Sequence, residues 1–437
     1  MKDNDYSALS LVDKEGRVFL KNNTFYRGVF SETSEILNFL KTPIFKELVK
    51  ENFIPDSEIV NDKNEIFHAV IKHETSLHVT YPHEWSLDML KDACLMYLKL
   101  YQKCLKNGYY LKDGHGYNIV FFNTTAKFVD LGSIQKGELK NLQEFNKTLF
   151  LPILIWLNGN YNLANKYIND DNYNYSLKDI YHSYLSDIIL NSDKKTKLKN
   201  LLSIKKIKKL CNSNEIESKI DYLKNKKENK IVSTWDNYHL SYFENDKIVS
   251  TERFDALIEV IKTLEIESLY DVACNEGLFS ILVSERCKNI TKIISTDYDF
   301  NAINNFYNFL KINPTYKNIS IAISNCIIPS QNFQEDAATK RFKSDCVVVL
   351  ALTHHLILGQ GFHLDVIINR FYEFTNKYLI IEFMPLGLWG GDGFEKPEIP
   401  EYYTEEWFTN GIKEKFQIKK RMELEKNRIA FLCEKLY

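Results

Sequence analysis

Residues 269–279 read LYDVACNEGLF, and this stretch decides the fold of the C-terminal half of the chain. An apolar run that contains Asp271 is followed by small residues at Ala273, Asn275 and Gly277, and then by apolar residues at helical spacing. A strand that opens through such a turn into a helix is the crossover at which doubly wound α/β folds bind ligands. A ligand can approach the backbone of an uncrowded turn, and Gly277 allows close packing of the helix start. Asn275 is a residue type that tolerates left-handed backbone geometry.

A second acidic residue ends the next predicted strand. Residues 292–297 read KIISTD, so Asp297 lies 26 positions after Asp271. A carboxylate at this place can accept hydrogen bonds from both ribose hydroxyls of an adenosyl cofactor. The turn lacks the G-x-G-x-x-G pattern that packs a pyrophosphate, which disfavours a dinucleotide.

Strands and helices alternate through the rest of this half. The pattern predicts strands at residues 268–273, 292–297, 319–325, 345–350 and 378–383, and helices at residues 251–264, 277–286, 299–312 and 364–375. Such alternation predicts a parallel sheet that is covered by helices on both faces.

The motifs LYDVACNEGLFSIL, STDYD, VVLALTHHL and YLIIEFMP, in this order, resemble those of class I S-adenosylmethionine (SAM)-dependent methyltransferases. They are similar in particular to a bacterial subgroup of nodulation host-specificity type. The resemblance covers residues 235–437 and implies a Rossmann-like methyltransferase domain that binds SAM. It also implies that Asp271, Ala273, Asn275 and Gly277 line the methionine and ribose portion of SAM.

The same resemblance implies further site residues. Asp297 would bind the ribose, and Leu352 would lie beside the cofactor. Asn325 stands where relatives carry an aspartate for the adenine amino group, and an amide carbonyl can still accept that hydrogen bond. His354 and His355 follow the fourth predicted strand, where the methyl group is presented.

The two histidines are the candidate catalytic groups. A neutral imidazole could remove a hydroxyl proton from the acceptor as the methyl group transfers. Glu382, which ends the fifth strand, could orient that base or bind the substrate. Residues 389–391 (WGG) predict a mobile loop over the substrate.

Residues 108–133, GYYLKDGHGYNIVFFNTTAKFVDLGS, resemble the catalytic segment of small-molecule kinases of the aminoglycoside phosphotransferase type. The resemblance implies Asp113 as a catalytic base, Asn118 and Asp130 as Mg²⁺ ligands, and ATP as a cofactor. No glycine-rich loop is visible, and Arg27 is the candidate for the nucleotide-binding lysine. A guanidinium is not equivalent to a lysine ammonium at such a position.

The N-terminal half shows its own pattern of elements. Strands are predicted at residues 17–20, 24–29, 67–72 and 76–81, helices at residues 32–49 and 87–107, a hairpin at residues 119–130, and helical structure from residue 138 to about residue 224. The lysine-rich stretch at residues 224–230 is the predicted domain boundary.

The chain of 437 residues is long enough for two domains. We predict an α+β kinase-like domain at residues 1–229, with a β-rich part at 1–85 and a helical part at 86–229, and an α/β methyltransferase domain at 230–437. The net charge of −2 disfavours a nucleic-acid substrate. Eight scattered cysteines, the absence of a signal-peptide pattern and the absence of a membrane-length apolar run predict a cytoplasmic protein.

Three functions remain open at this point. The first is a SAM-dependent methyltransferase that modifies an oxygen of a small molecule or glycan. The second is a bifunctional enzyme that phosphorylates a glycan end and then methylates the phosphate. The third is a methyltransferase whose N-terminal region is a pseudokinase that recruits a partner.

Overall fold

The computed structural model describes residues 6, 10, 13–60, 66–138, 142–169, 175–191, 194–226, 243–244, 247–329 and 335–437. The chain divides into two compact units. Unit 1 comprises residues 1–232 together with 332–336, and unit 2 comprises residues 233–331 and 337–437.

Unit 1 combines short antiparallel strands with helices. Its strands are β1 (Gly16–Lys21), β2 (Thr24–Val29), β3 (Ser57–Val60), β4 (Ala69–His73), β5 (Tyr109–Leu111), β6 (Ile119–Phe122), β7 (Thr125–Phe128) and β8 (Ile134–Lys136). Its helices are α1 (Glu35–Phe39), α2 (Pro43–Lys50), α3 (Leu87–Lys106), α4 (Gln143–Phe145), α5 (Leu151–Leu157), α6 (Tyr161–Asn169), α7 (Leu177–Asn191), α8 (Lys194–Asn212) and α9 (Ile216–Asn225). A four-stranded sheet has the order β1-β2-β4-β3, and β6 and β7 form a separate hairpin.

The elements of unit 1 differ from the prediction at several places. The single helix predicted at residues 32–49 is two helices, because Pro43 lacks the amide hydrogen that a continuous helix needs and Thr42 caps the second helix by accepting from the Phe45 N–H. Residues 76–81, all of which are described, form no strand, and β3, β5 and β8 are strands that were not predicted. The long helix α3 and the β6–β7 hairpin are confirmed.

Unit 2 is built on one large sheet. Its strands are β9 (Phe243–Glu244), β10 (Lys247–Ile248), β11 (Ser268–Val272), β12 (Lys292–Asp297), β13 (Ile319–Ile323), β14 (Ser344–Val349), β15 (Thr375–Phe383), β16 (Phe416–Glu425) and β17 (Arg428–Lys435). Its helices are α10 (Glu252–Lys262), α11 (Leu278–Arg286), α12 (Phe300–Ile312), α13 (Ala338–Arg341), α14 (Leu364–Phe374) and α15 (Glu405–Lys413). A π-helical turn spans His355–Gly359.

The large sheet has the order β13-β12-β11-β14-β15-β17-β16. Strands β11 to β15 pair in parallel, as predicted, but β17 runs antiparallel to both neighbours, so the sheet is mixed. The chain moves outward from β11 to β13 and then returns to place β14 on the other side of β11. The crevice outside the carboxyl ends of β11 and β14 is therefore the switch point at which such sheets bind ligands.

The interior of both units is apolar. All eight cysteines are buried free thiols, which confirms that they serve as small core residues. Among the described helices, none combines the length and the apolar character that crossing a bilayer requires. The cytoplasmic location stays a prediction.

Gly277 is the residue on which the turn after β11 depends most. Its φ is +77°, and a Cβ built on it would lie 2.0 Å from the Phe306 ring. We expect Gly277→Ala to reduce the free energy of unfolding by about 2–4 kcal/mol, since it adds overpacking to left-handed strain. Chemical denaturation of the purified protein measures this change.

Gly361 provides the matched control. Its φ is +74°, but nothing lies within 4 Å of a built Cβ. Gly361→Ala should therefore reduce the free energy of unfolding by only about 1 kcal/mol, which is the cost of left-handed backbone geometry at an alanine. Equal losses in the two variants would contradict the packing role of Gly277.

Candidate functional site

The turn between β11 and α11 has the open backbone that the sequence predicted. Ala273, Asn275 and Gly277 have φ values of 56°, 51° and 77°, so three of five successive residues are left-handed. Left-handed geometry at Ala273 is costly and persists only where the surroundings enforce it. Ala273 and Asn275 of this turn are partly exposed at the switch point, and the residues between and after them are buried.

Asp297 lies beside this turn with both carboxylate oxygens oriented by backbone groups. The Asn275 N–H donates to one oxygen at 2.8 Å, and the Asp299 N–H donates to the other at 2.8 Å. Burial raises the pKa of Asp297 to about 6, and repulsion from Asp299 adds to that effect. Each carboxylate oxygen keeps acceptor capacity, so the group can take two hydroxyl donors from a ribose.

Asp271 lies beneath the turn rather than at its surface. Its side chain is buried and accepts a 2.5 Å hydrogen bond from the Ser280 hydroxyl, which also contacts the Ser295 hydroxyl at 2.7 Å. Burial raises the pKa of Asp271 to about 7. Asp271 on β11 therefore binds α11 to the sheet through the Ser280 hydroxyl.

Asn325 follows β13, but its carbonyl oxygen is already engaged. It accepts the Ile327 N–H at 3.0 Å and the Ile328 N–H at 2.9 Å. Since an amide oxygen has two lone pairs, an adenine amino group would have to compete with these two backbone donors. The predicted bond from adenine to Asn325 therefore does not fit this arrangement.

Two exposed apolar side chains at the same strand ends were missed by the sequence analysis. Tyr298, directly after Asp297, is 73% exposed, and Ile328 is 64% exposed. Sites for small ligands are lined mainly by apolar and aromatic side chains, so these two residues are candidates for contact with a cofactor. For Tyr298 the sequence signal was a bulky aromatic residue placed between the two acidic residues of TDYD, residues 296–299.

The histidine pair follows β14 at the other side of the switch point. Ala351 has a φ of 50°, Leu352 is half-buried against the core, and the two imidazole rings lie 4.1 Å apart between centroids. His354 is buried, and burial, together with His355 and Arg428, lowers its pKa to about 3. His355 is only half-buried, and burial lowers its pKa as well. Both rings are therefore neutral at pH 7.

Glu382 is fully buried among cationic and backbone groups. Its carboxylate accepts from the Ala351 N–H at 2.7 Å and from the Arg428 guanidinium at 3.1 Å, and Arg253 lies 3.8 Å away. The Thr353 hydroxyl donates to the Glu382 carbonyl oxygen at 2.6 Å. Glu382 therefore fixes the segment that bears the histidines and is not placed to contact a substrate.

In unit 1 the structure brings Asp113, Asn118 and Asp130 together. The Ser133 hydroxyl lies 3.1 Å from the Asp113 carboxylate and 2.6 Å from the Asp130 carboxylate. The Asn118 side-chain amide donates to the Asp113 carbonyl oxygen at 3.4 Å. Arg27 also reaches this cluster, with its guanidinium 3.9 Å from Asp130.

Mg²⁺ does not fit the cluster as it stands. Asp130 is engaged by Ser133, by the Gly132 N–H at 3.1 Å and by Arg27, which also pairs with Asp13. Three donors around one carboxylate leave little room for the six-oxygen shell that Mg²⁺ demands. Within the described ranges, no group of three or more His, Cys, Asp or Glu side chains is arranged for a metal.

The chain is 25% identical over 423 residues to the nodulation protein NoeA of Rhizobium meliloti (strain 1021), covering 86% of this chain and 84% of that protein. No protein-family model matches the chain.

Two solved structures are similar to part of the chain. The PH0226 protein from Pyrococcus horikoshii OT3 is 13% identical, with a TM-score of 0.36 over 46% of this chain and 99% of its own. A SAM-dependent methyltransferase from Aquifex aeolicus is 17% identical, with a TM-score of 0.32 over 42% of this chain and 92% of its own. The strand order and the turn after β11 give unit 2 a doubly wound α/β fold.

Proposed function

We propose that unit 2 transfers a methyl group from SAM to an oxygen of a small molecule or glycan. The observation that carries the proposal is the Asp297 carboxylate, which two backbone N–H groups hold beside the open turn at the switch point. A carboxylate so oriented matches the two hydroxyls of an adenosyl ribose.

Different residues around this crevice would bind different parts of SAM. Asp297 would bind the ribose, and the backbone of Ala273 and Asn275 would contact the methionine portion. Tyr298 and Ile328 would enclose the adenine between apolar surfaces, which replaces the predicted polar contact from Asn325. Asp271 would act through the turn that it stabilises.

When bound, SAM supplies an electrophilic methyl group on a sulfonium. His355 is the candidate base, because it is the more exposed of the two neutral imidazoles at the end of β14. A neutral imidazole can accept the proton of an acceptor hydroxyl. His354 would fix the position of the His355 ring, and Glu382 would fix the segment that carries both.

We expect His355→Ala to lower methyl transfer by about 10²-fold or more while SAM affinity stays unchanged. His354→Ala should lower it less. The measurement is the rate of label transfer from SAM into product, alongside calorimetric SAM binding. Full transfer in both variants would remove the proposed catalytic role of the pair.

SAM affinity should depend on pH through Asp297. The folded apo-protein binds a proton at Asp297 up to about pH 6, although the usual value is 3.8. SAM needs the ionised carboxylate, so its Kd should fall as the pH rises from about 5 to about 7. The stability of the apo-protein should change in the opposite sense. Because the pKa of Asp297 is raised in the folded state, its contribution to the free energy of unfolding is present at low pH and is lost as the pH rises through about 6.

Calorimetric titrations at a series of pH values measure the first effect, and urea unfolding without ligand measures the second. Asp299→Asn is the companion variant: an asparagine still caps α12, and loss of the repulsion from Asp299 should move the fall in Kd to lower pH. A Kd that does not change with pH would contradict the ribose assignment of Asp297.

We do not extend the proposal to phosphoryl transfer in unit 1. The convergence of Asp113, Asn118 and Asp130 favours it, but Arg27 and Ser133 engage the carboxylate that the metal would need. A thermal shift with ATP and Mg²⁺ that disappears in Asp130→Ala would restore the bifunctional alternative. A flat response would agree with methyl transfer alone.

The test of the methyltransferase proposal is incubation of the full chain with labelled SAM and whole extracts of the source cell. We expect one labelled small-molecule or glycan product that gains the mass of a methylene, with the new methyl group on an oxygen. Label in protein or nucleic acid only, or no label in any product, would overturn the proposed acceptor class.

A further inference from the structure

The turn between β16 and β17 consists of Lys426 and Asn427, and β17 begins at Arg428. These three consecutive residues contact three different parts of the acceptor side of unit 2. Arg428 reaches Glu382, which in turn accepts the Ala351 N–H at the base of the histidine segment. The sequence analysis assigned no role to this turn.

Asn427 makes the central contacts. It is 8% exposed, its Oδ1 accepts the Leu386 N–H at 2.6 Å, and its Nδ2 donates to the Gly387 carbonyl oxygen at 3.5 Å. Leu386 and Gly387 follow β15 and lead into residues 389–391, the loop that was predicted to cover the substrate. A buried side-chain amide that bonds a loop backbone fixes the loop at that point.

Gly387 connects this anchor to the histidines. Its φ is +57°, and a Cβ built on it would lie 2.8 Å from Leu358. Leu358 belongs to the π-helical turn His355–Gly359. The backbone at Gly387 therefore packs directly against the segment that begins with His355, and Asn427 holds it there.

Lys426 makes the outer contact of the same loop. Its ammonium lies 2.8 Å from the Asp392 carboxylate and 4.8 Å from the centre of the Trp389 ring, and the Trp389 indole N–H donates to the Phe394 carbonyl oxygen at 3.1 Å. This ion pair is exposed, so its contribution is small. The loop is thus firmly attached near residue 386 and weakly attached near residue 392.

We propose that Asn427 is a positioning residue, which sets the acceptor loop at residues 386–394 against His355 so that the acceptor binds in line with the methyl donor. The proposal rests on the proposed methyltransferase function. SAM binding does not depend on Asn427, because the cofactor turn and Asp297 lie across the switch point on β11 and β12. The weak outer attachment lets the outer half of the loop move while its base stays in place.

Hydrogen exchange tests the anchor without any substrate. The Leu386 amide of the wild-type chain should exchange at least tenfold more slowly than that of Asp392. Asn427→Ala should remove this protection, whereas Asn427→Asp should keep it, because the acceptor oxygen remains. Asn313→Ala, which also deletes one side-chain hydrogen bond to backbone, is the matched control and should change nothing at Leu386.

Methyl transfer into serial dilutions of the cell extract tests the positioning role. At high dilution, where the acceptor is scarce, Asn427→Ala should transfer methyl groups at least tenfold more slowly than the wild type. At low dilution its rate should recover, because a raised KM for the acceptor is overcome by more acceptor. Asn427→Asp should show the same dependence of rate on dilution as the wild type. Calorimetric SAM binding should stay within twofold in every variant.

Several outcomes would overturn the proposal. These are fast exchange at Leu386 in the wild-type chain, equal rates for Asn427→Ala and the wild type at high dilution, and a loss of SAM affinity in Asn427→Ala. A wild-type chain that binds no SAM would instead defeat the proposed function, and the exchange data would still decide whether Asn427 anchors the loop.

Discussion

Asp297→Asn should weaken SAM binding about 10- to 150-fold. The two carboxylate oxygens each accept one backbone N–H, from Asn275 and Asp299, and each keeps capacity for a ribose hydroxyl. An asparagine has one oxygen, so one backbone N–H would face an amide NH₂, and one hydroxyl would lose its charged acceptor. A charge-assisted hydrogen bond contributes about 1.5–3 kcal/mol, which corresponds to the predicted loss.

Isothermal titration of the purified variant with SAM measures this change. Asp299→Asn, two residues away, removes the same charge but preserves the helix cap, and it should bind SAM as the wild type does. Near-wild-type affinity in Asp297→Asn would mean that the carboxylate is part of the turn structure only.

Glu382→Gln should lower the free energy of unfolding by about 3–5 kcal/mol, because it leaves buried arginines without their common counter-charge. The Glu382 side chain is fully buried, while those of Arg253 and Arg428 are 12% and 17% exposed. For the unfolding of a unit of the size of unit 2 the loss should appear as a drop in Tm of roughly 10 °C. The Ala351 N–H would also lose a charged acceptor, so methyl transfer should fall along with stability.

The matched control is Glu425→Gln, on the other side of Arg428. Glu425 lies 3.0 Å from the same guanidinium but is half-exposed, so its removal should cost less than about 1 kcal/mol. Thermal unfolding of both variants gives the comparison. If Glu382→Gln were as stable as Glu425→Gln, the buried carboxylate would have no role in fixing the histidine segment.

The parts of unit 2 that depend on local sequence could be predicted. Strand β12 has the predicted bounds, and β11, α11 and α12 differ from the prediction by a residue or two. Apolar periodicity and a small-residue turn carry this information within a short window. Asn275 has the left-handed geometry that its residue type tolerates, whereas the same geometry at Ala273 had no signal in the residue type.

The acceptor side could not be predicted in the same way, because its contacts join residues far apart in the chain. Asn427 contacts Leu386 at a separation of 41 residues, and Arg428 contacts Glu382 at a separation of 46. No alternation of strand and helix signals the antiparallel β16–β17 hairpin that makes these contacts. Sequence spacing likewise suggested that Glu382 could orient the base or bind the substrate, but it could not show that this carboxylate is fully buried beside Arg253 and Arg428.

In unit 1 the residues of a short motif lie close together, but their other partners leave little room for a metal ion. The spacing of Asp113, Asn118 and Asp130 correctly predicted that these residues lie together. It could not show that Ser133 would bridge the two carboxylates, or that Arg27 would pair with Asp13 as well as approach Asp130. Those partners decide whether a cation can enter.

Calorimetry of the full purified chain with SAM tests the central claim most directly. We predict saturable binding of one SAM per chain with a Kd below about 100 µM, displaced by S-adenosylhomocysteine. No heat and no thermal shift with SAM at about 1 mM would contradict the assignment of the β11 turn and Asp297 as a cofactor site.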